Sequence, residues 1–174
     1  KISGRIVVSG IGKSAIIGMK ISSTLNSTGT PSIFMHGSDA LHGDLGAITK
    51  DDVLIYISKS GSNSDTVDLV NSLKKNGVDI VSITANKDSY LAKNSRHVIH
   101  TPIHVEACPN NLAPTSSTTM MLVIGDAIAV SLIKMKGFKK THFSNFHPGG
   151  IIGKDLVKVS EVMHKDTKLP LAYP

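Results

Sequence analysis

Residues 53–66, Val-Leu-Ile-Tyr-Ile-Ser-Lys-Ser-Gly-Ser-Asn-Ser-Asp-Thr, carry the densest chemistry in this 174-residue chain. An apolar strand, Val53 to Ile57, runs into a loop holding Ser58, Ser60, Gly61, Ser62, Asn63 and Ser64, and a helix is expected to open at Ser64 or Asp65. Hydroxyls and unpaired backbone N–H groups then converge beside the partial positive charge of a helix N-terminus. The pattern suits the phosphate of a small molecule. Its plain alternative is a Ser-rich turn with a Ser cap.

Four further residues could act beside that loop. Lys13 lies in Gly10-Ile11-Gly12-Lys13-Ser14, directly after an expected strand. The segment lacks the third glycine of a dinucleotide fingerprint and is too short for a P-loop. Lys13 nevertheless falls at a strand's carboxyl end, where open α/β sheets bind ligands, and could meet a phosphate or a developing enediolate. His42 is followed by Gly43-Asp44-Leu45-Gly46, where glycines let backbone approach a ligand. Glu106 sits in the loop after the fifth expected strand, and His147 in a His-Pro-Gly-Gly turn. Singly, each reads as readily as an ordinary residue: a first-turn lysine, loop histidines, a solvated glutamate. No Gly-x-Ser-x-Gly elbow appears. His100 and His104 have ligand-like spacing but flank Pro102, so no metal site is expected.

The elements that must position these residues alternate. Strands are expected at Arg5–Ser9, Ser32–Met35, Val53–Ile57, Val78–Thr84 and His97–Thr101. Helices are expected from Lys13 to about Asn26, Ser64 to Asn76, Ser89 to Asn94, and from Thr115 to about Met135. The strand runs are continuously apolar, as in strands buried on both faces. A five-stranded parallel sheet in a three-layer αβα sandwich follows. The last helix is apolar nearly all round, which suits the core or a subunit interface.

Bulk properties bound the partners. A net charge of +6 comes without basic–aromatic interleaving, since aromatics are only 4%, so nucleic acid is not an expected partner. Met120 to Ile133 is interrupted by Gly125, Asp126 and Ser131, so no membrane span is expected. The single cysteine, Cys108, allows no intrachain disulfide and fits a reducing, cytoplasmic setting, with the thiol read as a buried apolar filler.

Taken in order, the motifs resemble the sugar isomerase (SIS) domain, in the arabinose-5-phosphate isomerase group of the Kdo pathway. They are Ser-Gly-Ile-Gly-Lys-Ser (9–14), Ser-Thr-Gly-Thr-Pro-Ser (27–32), His-Gly-Asp-Leu-Gly (42–46) and Ile-Ser-Lys-Ser-Gly (57–61). Glu-Ala-Cys-Pro (106–109), Leu-Ala-Pro-Thr-Ser-Ser-Thr-Thr (112–119), Gly-Asp-Ala (125–127) and His-Pro-Gly-Gly (147–150) complete the set. The resemblance implies cofactor-free interconversion of ribulose 5-phosphate and arabinose 5-phosphate, supplying lipopolysaccharide or capsule synthesis. It puts catalytic positions on Lys13, His42, Glu106 and His147, with Glu106 as carbon base and His147 as proton carrier, or the two exchanged. Ser58, Ser60, Gly61, Ser62, Ser64, Asp65 and Thr66 would hold the phosphate. The chain departs from the family at Asp65, where Glu is usual, and at Lys59 and Ser62, where Asn and Glu are common.

The same resemblance implies a homotetramer with shared active sites and CMP-Kdo as a feedback ligand. It also implies a SIS domain over residues 1–157, with 158–174 as a linker and the start of a CBS domain. A non-catalytic SIS regulator that binds a phosphosugar or nucleotide sugar, and an isomerase of another phosphosugar, are the alternatives.

Overall fold

The fold was obtained as a computed structural model that describes residues 3–148 and 159–164. The expected glycines at 149–150, the boundary at 157/158 and the segment 165–174 lie outside the described residues. Five strands form one sheet: β1 (Ile6–Gly10), β2 (Ser32–His36), β3 (Val53–Ile57), β4 (Asp79–Thr84) and β5 (His97–His100). Every pairing is parallel and the order is β2-β1-β3-β4-β5.

Alternation along the strands sorts side chains to two cores. On one face, Val7, Leu54, Tyr56 and Ile80 pack against Leu69, Val70 and Leu73 of α3 (Ser64–Lys75) and Leu91 of α4 (Tyr90–Lys93). On the other, Ile6, Val8, Ile55, Ile57 and Ile83 meet Ile21 and Leu25 of α1 (Lys13–Ser27) and Met121 and Ala129 of α5 (Ser116–Lys136). These are the three expected layers.

Two helices depart from the sequence reading. α2 (Gly37–Leu41) follows β2 directly, where the sequence suggests a loop, and a 3-10 turn covers Asp44–Ala47. His36 caps α2 by accepting the Ser38 N–H at its Nδ1. α6 (Lys140–Phe146) occupies a stretch just before the expected His147 turn, where the sequence suggests no element. A further helical turn covers Val159–Val162.

α5 has the length and apolar character of a membrane span, but it is built into the sandwich. Gly125 lets it approach α1 so closely that a Cβ there would collide with Ile21. Beside that contact Asp126 pairs with Lys20. Gly125 and Asp126 of the motif Gly-Asp-Ala therefore lie at the α1–α5 contact.

Candidate active site

In a sheet of order 2-1-3-4-5 the chain leaves β1 and β3 in opposite directions, which opens a crevice at their carboxyl ends. Lys13 begins α1 just past β1, and the Ser58–Ser64 loop leaves β3, so both stand at that switch point. Lys13 is exposed, and α1 starts without a capping side chain or an acidic residue in its first turn.

The loop is held by its own hydrogen bonds and by the β4–α4 corner. Ser58 Oγ accepts the Gly61 N–H at 3.0 Å, and the Lys59 carbonyl accepts the Ala85 N–H. The Gly61 carbonyl accepts the Leu91 N–H, and Ser62 Oγ accepts the Tyr90 N–H at 3.1 Å. Gly61 has φ +66° and lies against Ser89, so a side chain there meets both backbone strain and a collision. These contacts lock the loop onto the β4–α4 corner.

That locking reassigns some expected phosphate ligands. Thr66 is buried; its hydroxyl pairs with Tyr56 Oη and its N–H donates to the capping Asn63 side chain. Its task is the α3 N-terminus, and Asn63 rather than Ser64 is the cap. Ser62 Oγ also accepts the Tyr90 N–H at the start of α4, while its own O–H, which can still donate, lies on an exposed side chain. Ser60 and Ser64 remain exposed, and the backbone N–H groups of Ser62, Ser64 and Asp65 find no partner among the described residues. Asp65 accepts from Ser64 Oγ at 3.2 Å and from Ser38 Oγ at 3.4 Å, which ties α3 to α2.

Glu106 is not a solvated loop residue: its side chain is 1% exposed. Oε2 accepts the Thr115 and Ser117 N–H groups at 2.9 and 3.1 Å, and also the Thr115 hydroxyl. Oε1 accepts Ser117 Oγ and Lys59 Nζ, each at 2.6 Å. The carboxylate thus caps α5, whose own N-cap, Thr115, makes no side-chain cap bond. Lys59 first, then the Ser117 hydroxyl and the two N–H groups, outweigh burial and hold the carboxyl well below the usual carboxylate range. The loop that delivers it is tight: Asn111, at φ +53°, accepts the Glu106 N–H at 2.7 Å. Cys108, expected to be buried, is only half-buried, and backbone N–H groups of Ala113, Leu112 and Asn110 lower its thiol.

Sequence reading gives Lys59 no role. It is nevertheless the link between the phosphate loop and Glu106, across 47 residues of chain. Only its oddity for the family points to it.

His42 is exposed at the C-terminal cap of α2. It leaves the sheet at edge strand β2, two strands or about 10 Å from β3.

His147 is not brought to this site within one chain. Glu106 sits on the N-terminus of α5, whose 21 residues rise about 31 Å. At the other end Lys136 Nζ meets Thr30 Oγ1 and Phe138 lies against Gly29, at the sheet's opposite edge. The seven residues of α6 span only about 10 Å and cannot recross that length. The His147 ring stacks on Phe143 with centroids 3.8 Å apart, and its Nδ1 meets the Phe143 carbonyl at 2.9 Å. As that carbonyl only accepts, Nδ1 carries a proton in this contact, and Nε2 meets no partner among the described residues.

Among the described residues no group of three or more His, Cys, Asp or Glu converges as metal ligands would. A hollow of about 410 Å³ lies at the amino ends of β3 to β5, lined by Asp51, Asp52, Asp79, Arg96 and His97. It is at the opposite edge from the catalytic candidates and contains none of them.

The chain is similar to known proteins over most of its length. The chain is 49% identical over 168 residues to arabinose 5-phosphate isomerase KdsD of Pseudomonas aeruginosa, covering 96% of this chain and 52% of the relative. It is 49% identical over 164 residues to arabinose 5-phosphate isomerase KpsF of Escherichia coli, covering 94% and 52%. The chain therefore spans about half the length of the curated relatives it matches. A solved structure from E. coli CFT073, in complex with arabinose 5-phosphate, superposes with a TM-score of 0.82 at 44% identity, covering 84% of this chain and 78% of that one. The SIS domain family matches residues 2–131, which hold the whole sheet, the serine loop and Glu106 on its helix. By that match, which spans most of the chain, the chain belongs to the SIS domain family.

Proposed function

We propose that this domain is an aldose–ketose isomerase that interconverts arabinose 5-phosphate and ribulose 5-phosphate through an enediolate. The observation that carries the reading is the ionised Glu106 carboxylate, buried and tethered by Lys59 to the serine loop. The relatives named arabinose 5-phosphate isomerase and the structural neighbour with that sugar phosphate bound support the choice of substrate.

Isomerisation needs a base over C1 and C2, a proton carrier between the oxygens, and positive charge for the oxyanion. Glu106 Oε1 takes the C2 proton of the aldose and returns it to C1. No net electrons leave the substrate, so the step balances without a cofactor. Lys13 and His42 stabilise the enediolate or orient hydroxyls. Ser60, Ser64 and the free N–H groups of Ser62, Ser64 and Asp65 hold the phosphate, and that remote binding positions the reacting end. His147, through Nε2, carries the oxygen proton.

Because His147 and Glu106 sit at opposite ends of α5, one site needs His147 from a second copy. A homo-oligomer, and within this family a tetramer, answers that need. Ile16 and Met19 of α1, with Met120, Val123 and Val130 of α5, are exposed apolar residues on adjacent helices. Such a patch suits burial against another copy. A cytoplasmic enzyme of Kdo supply, with CBS domains after the SIS domain, completes the proposal.

A non-catalytic regulator is favoured by one observation: Glu106 already fulfils a structural task as the cap of α5. Turnover of arabinose 5-phosphate decides. Turnover that is lost in Glu106→Gln and His147→Ala supports the isomerase. Phosphosugar binding without turnover in the intact protein supports the regulator.

A further inference from the structure

The two oxygens of Glu106 are not equivalent. Oε2 is fully engaged by the start of α5, through the Thr115 and Ser117 N–H groups and the Thr115 hydroxyl. Oε1 accepts from Ser117 Oγ and Lys59 Nζ. A proton can reach Glu106 only at Oε1, and there Lys59 covers it. Of the groups bonded to this carboxylate, Lys59 is the charged one. It is also the one that can move, since its side chain is 45% exposed whereas that of Glu106 is 1% exposed.

The backbone of Lys59 belongs to the phosphate loop, where its carbonyl is pinned by the Ala85 N–H and the Thr84 hydroxyl. Its ammonium is thus anchored one residue from Ser60 on a flexible four-carbon stem. A dianionic phosphate entering the loop attracts that ammonium more strongly than a carboxylate already satisfied by several other donors.

We propose that Lys59 is a substrate-responsive latch: it masks Glu106 Oε1 in the free protein and swings to the bound phosphate, baring Oε1 toward the sugar. This rests on the isomerase reading for the role of Glu106, but the phosphate contact stands apart from it. Lys59 acts as a positioning residue for the base and as a phosphate ligand. Such coupling ties the exposure of the base to the presence of the correct substrate end.

The test compares wild type, Lys59→Gln and Lys59→Arg in two assays: affinity for inorganic phosphate by calorimetry, and kcat and KM for arabinose 5-phosphate. The latch predicts at least about a fivefold loss of phosphate affinity and a similar rise in KM for Lys59→Gln, with kcat equal to or above wild type. Lys59→Arg, which keeps the cation, restores phosphate affinity to within about twofold. Unchanged phosphate affinity in Lys59→Gln, or a fall in kcat at constant KM, overturns the latch and leaves Lys59 as a static partner. Full turnover in Glu106→Gln overturns instead the assignment of Glu106 as base. If the wild type shows no turnover, the isomerase reading fails and the phosphate assay still decides the contact.

Discussion

At Glu106 a structural and a chemical demand meet in one carboxylate. It closes the N-terminus of α5 and is also the proposed base, so removing its charge tests both at once. Glu106→Gln is expected to lower turnover about 10²–10⁴-fold, the usual worth of a positioned acid–base group. It should also cost about 2–3 kcal/mol in urea unfolding, because a buried, multiply bonded charge is replaced by an amide of the wrong polarity. The pH dependence has a definite sign. The folded carboxyl lies below its ordinary 4.5, so its stabilising contribution is complete above that pH and is lost as the pH falls further. Acid unfolding followed by circular dichroism should therefore be steeper below pH 4.5 for wild type than for Glu106→Gln. Equal slopes would mean that the carboxylate is not held ionised by its partners.

The residue scale also shows what a sequence conceals. Glu106, Lys13, His42 and His147 are legible through ordered motifs, but the Lys59 contact joins segments 47 residues apart and leaves no local trace. Thr66 reads as a phosphate ligand because hydroxyl count says nothing of which hydroxyls are buried at helix ends and which stay exposed. Only the fold separates those two uses.

Among the elements, β1 and β3 are readable because continuous apolar runs are what burial on both faces requires; β5, expected to be buried likewise, is an exposed edge strand, yet its boundary moves by only one residue. α2 is hidden because it opens on Gly37 and Ser38 and lasts five residues, too few for a 3.6-residue period to show. α6 is hidden by its aromatic and β-branched content, which propensity places low, while its His142 and Phe146 rings pack on Phe138. The small residues at helix contacts are testable. Gly125→Val pushes α5 away from Ile21 and should cost about 1–3 kcal/mol by chemical denaturation, as overpacking does. Asn63→Ala removes the cap of α3 and should cost about 1 kcal/mol while weakening phosphate binding through the adjoining N–H groups. A capped helix end that proves irrelevant to phosphate affinity would place the anion away from this loop.

On the scale of the whole molecule, one chain carries Glu106 and His147, the two proposed halves of a site, at opposite ends of α5. The apolar helix that reads as core or interface material has both faces in use: Met121, Gly125 and Ala129 are buried on the sheet side, and Val123 and Val130 are exposed. If copies share sites, equimolar mixtures of inactive Glu106→Gln and His147→Ala, dissociated and reassembled, should regain up to about a quarter of wild-type turnover by random pairing. A mixture that stays inactive would confine both residues to one chain's site. Val123→Asp and Val130→Asp should shift the assembly to smaller species in analytical ultracentrifugation, because charge is then placed on the proposed contact.

The claim on which the rest depends is that this site moves a proton at carbon on a sugar phosphate. The direct measurement is deuterium incorporation at C2 of arabinose 5-phosphate in heavy water, followed by NMR for wild type and Glu106→Gln. Wash-in is expected with wild type, and a loss of at least about 10²-fold in the variant. Bound phosphosugar with no exchange in wild type, or equal exchange in both proteins, would contradict it.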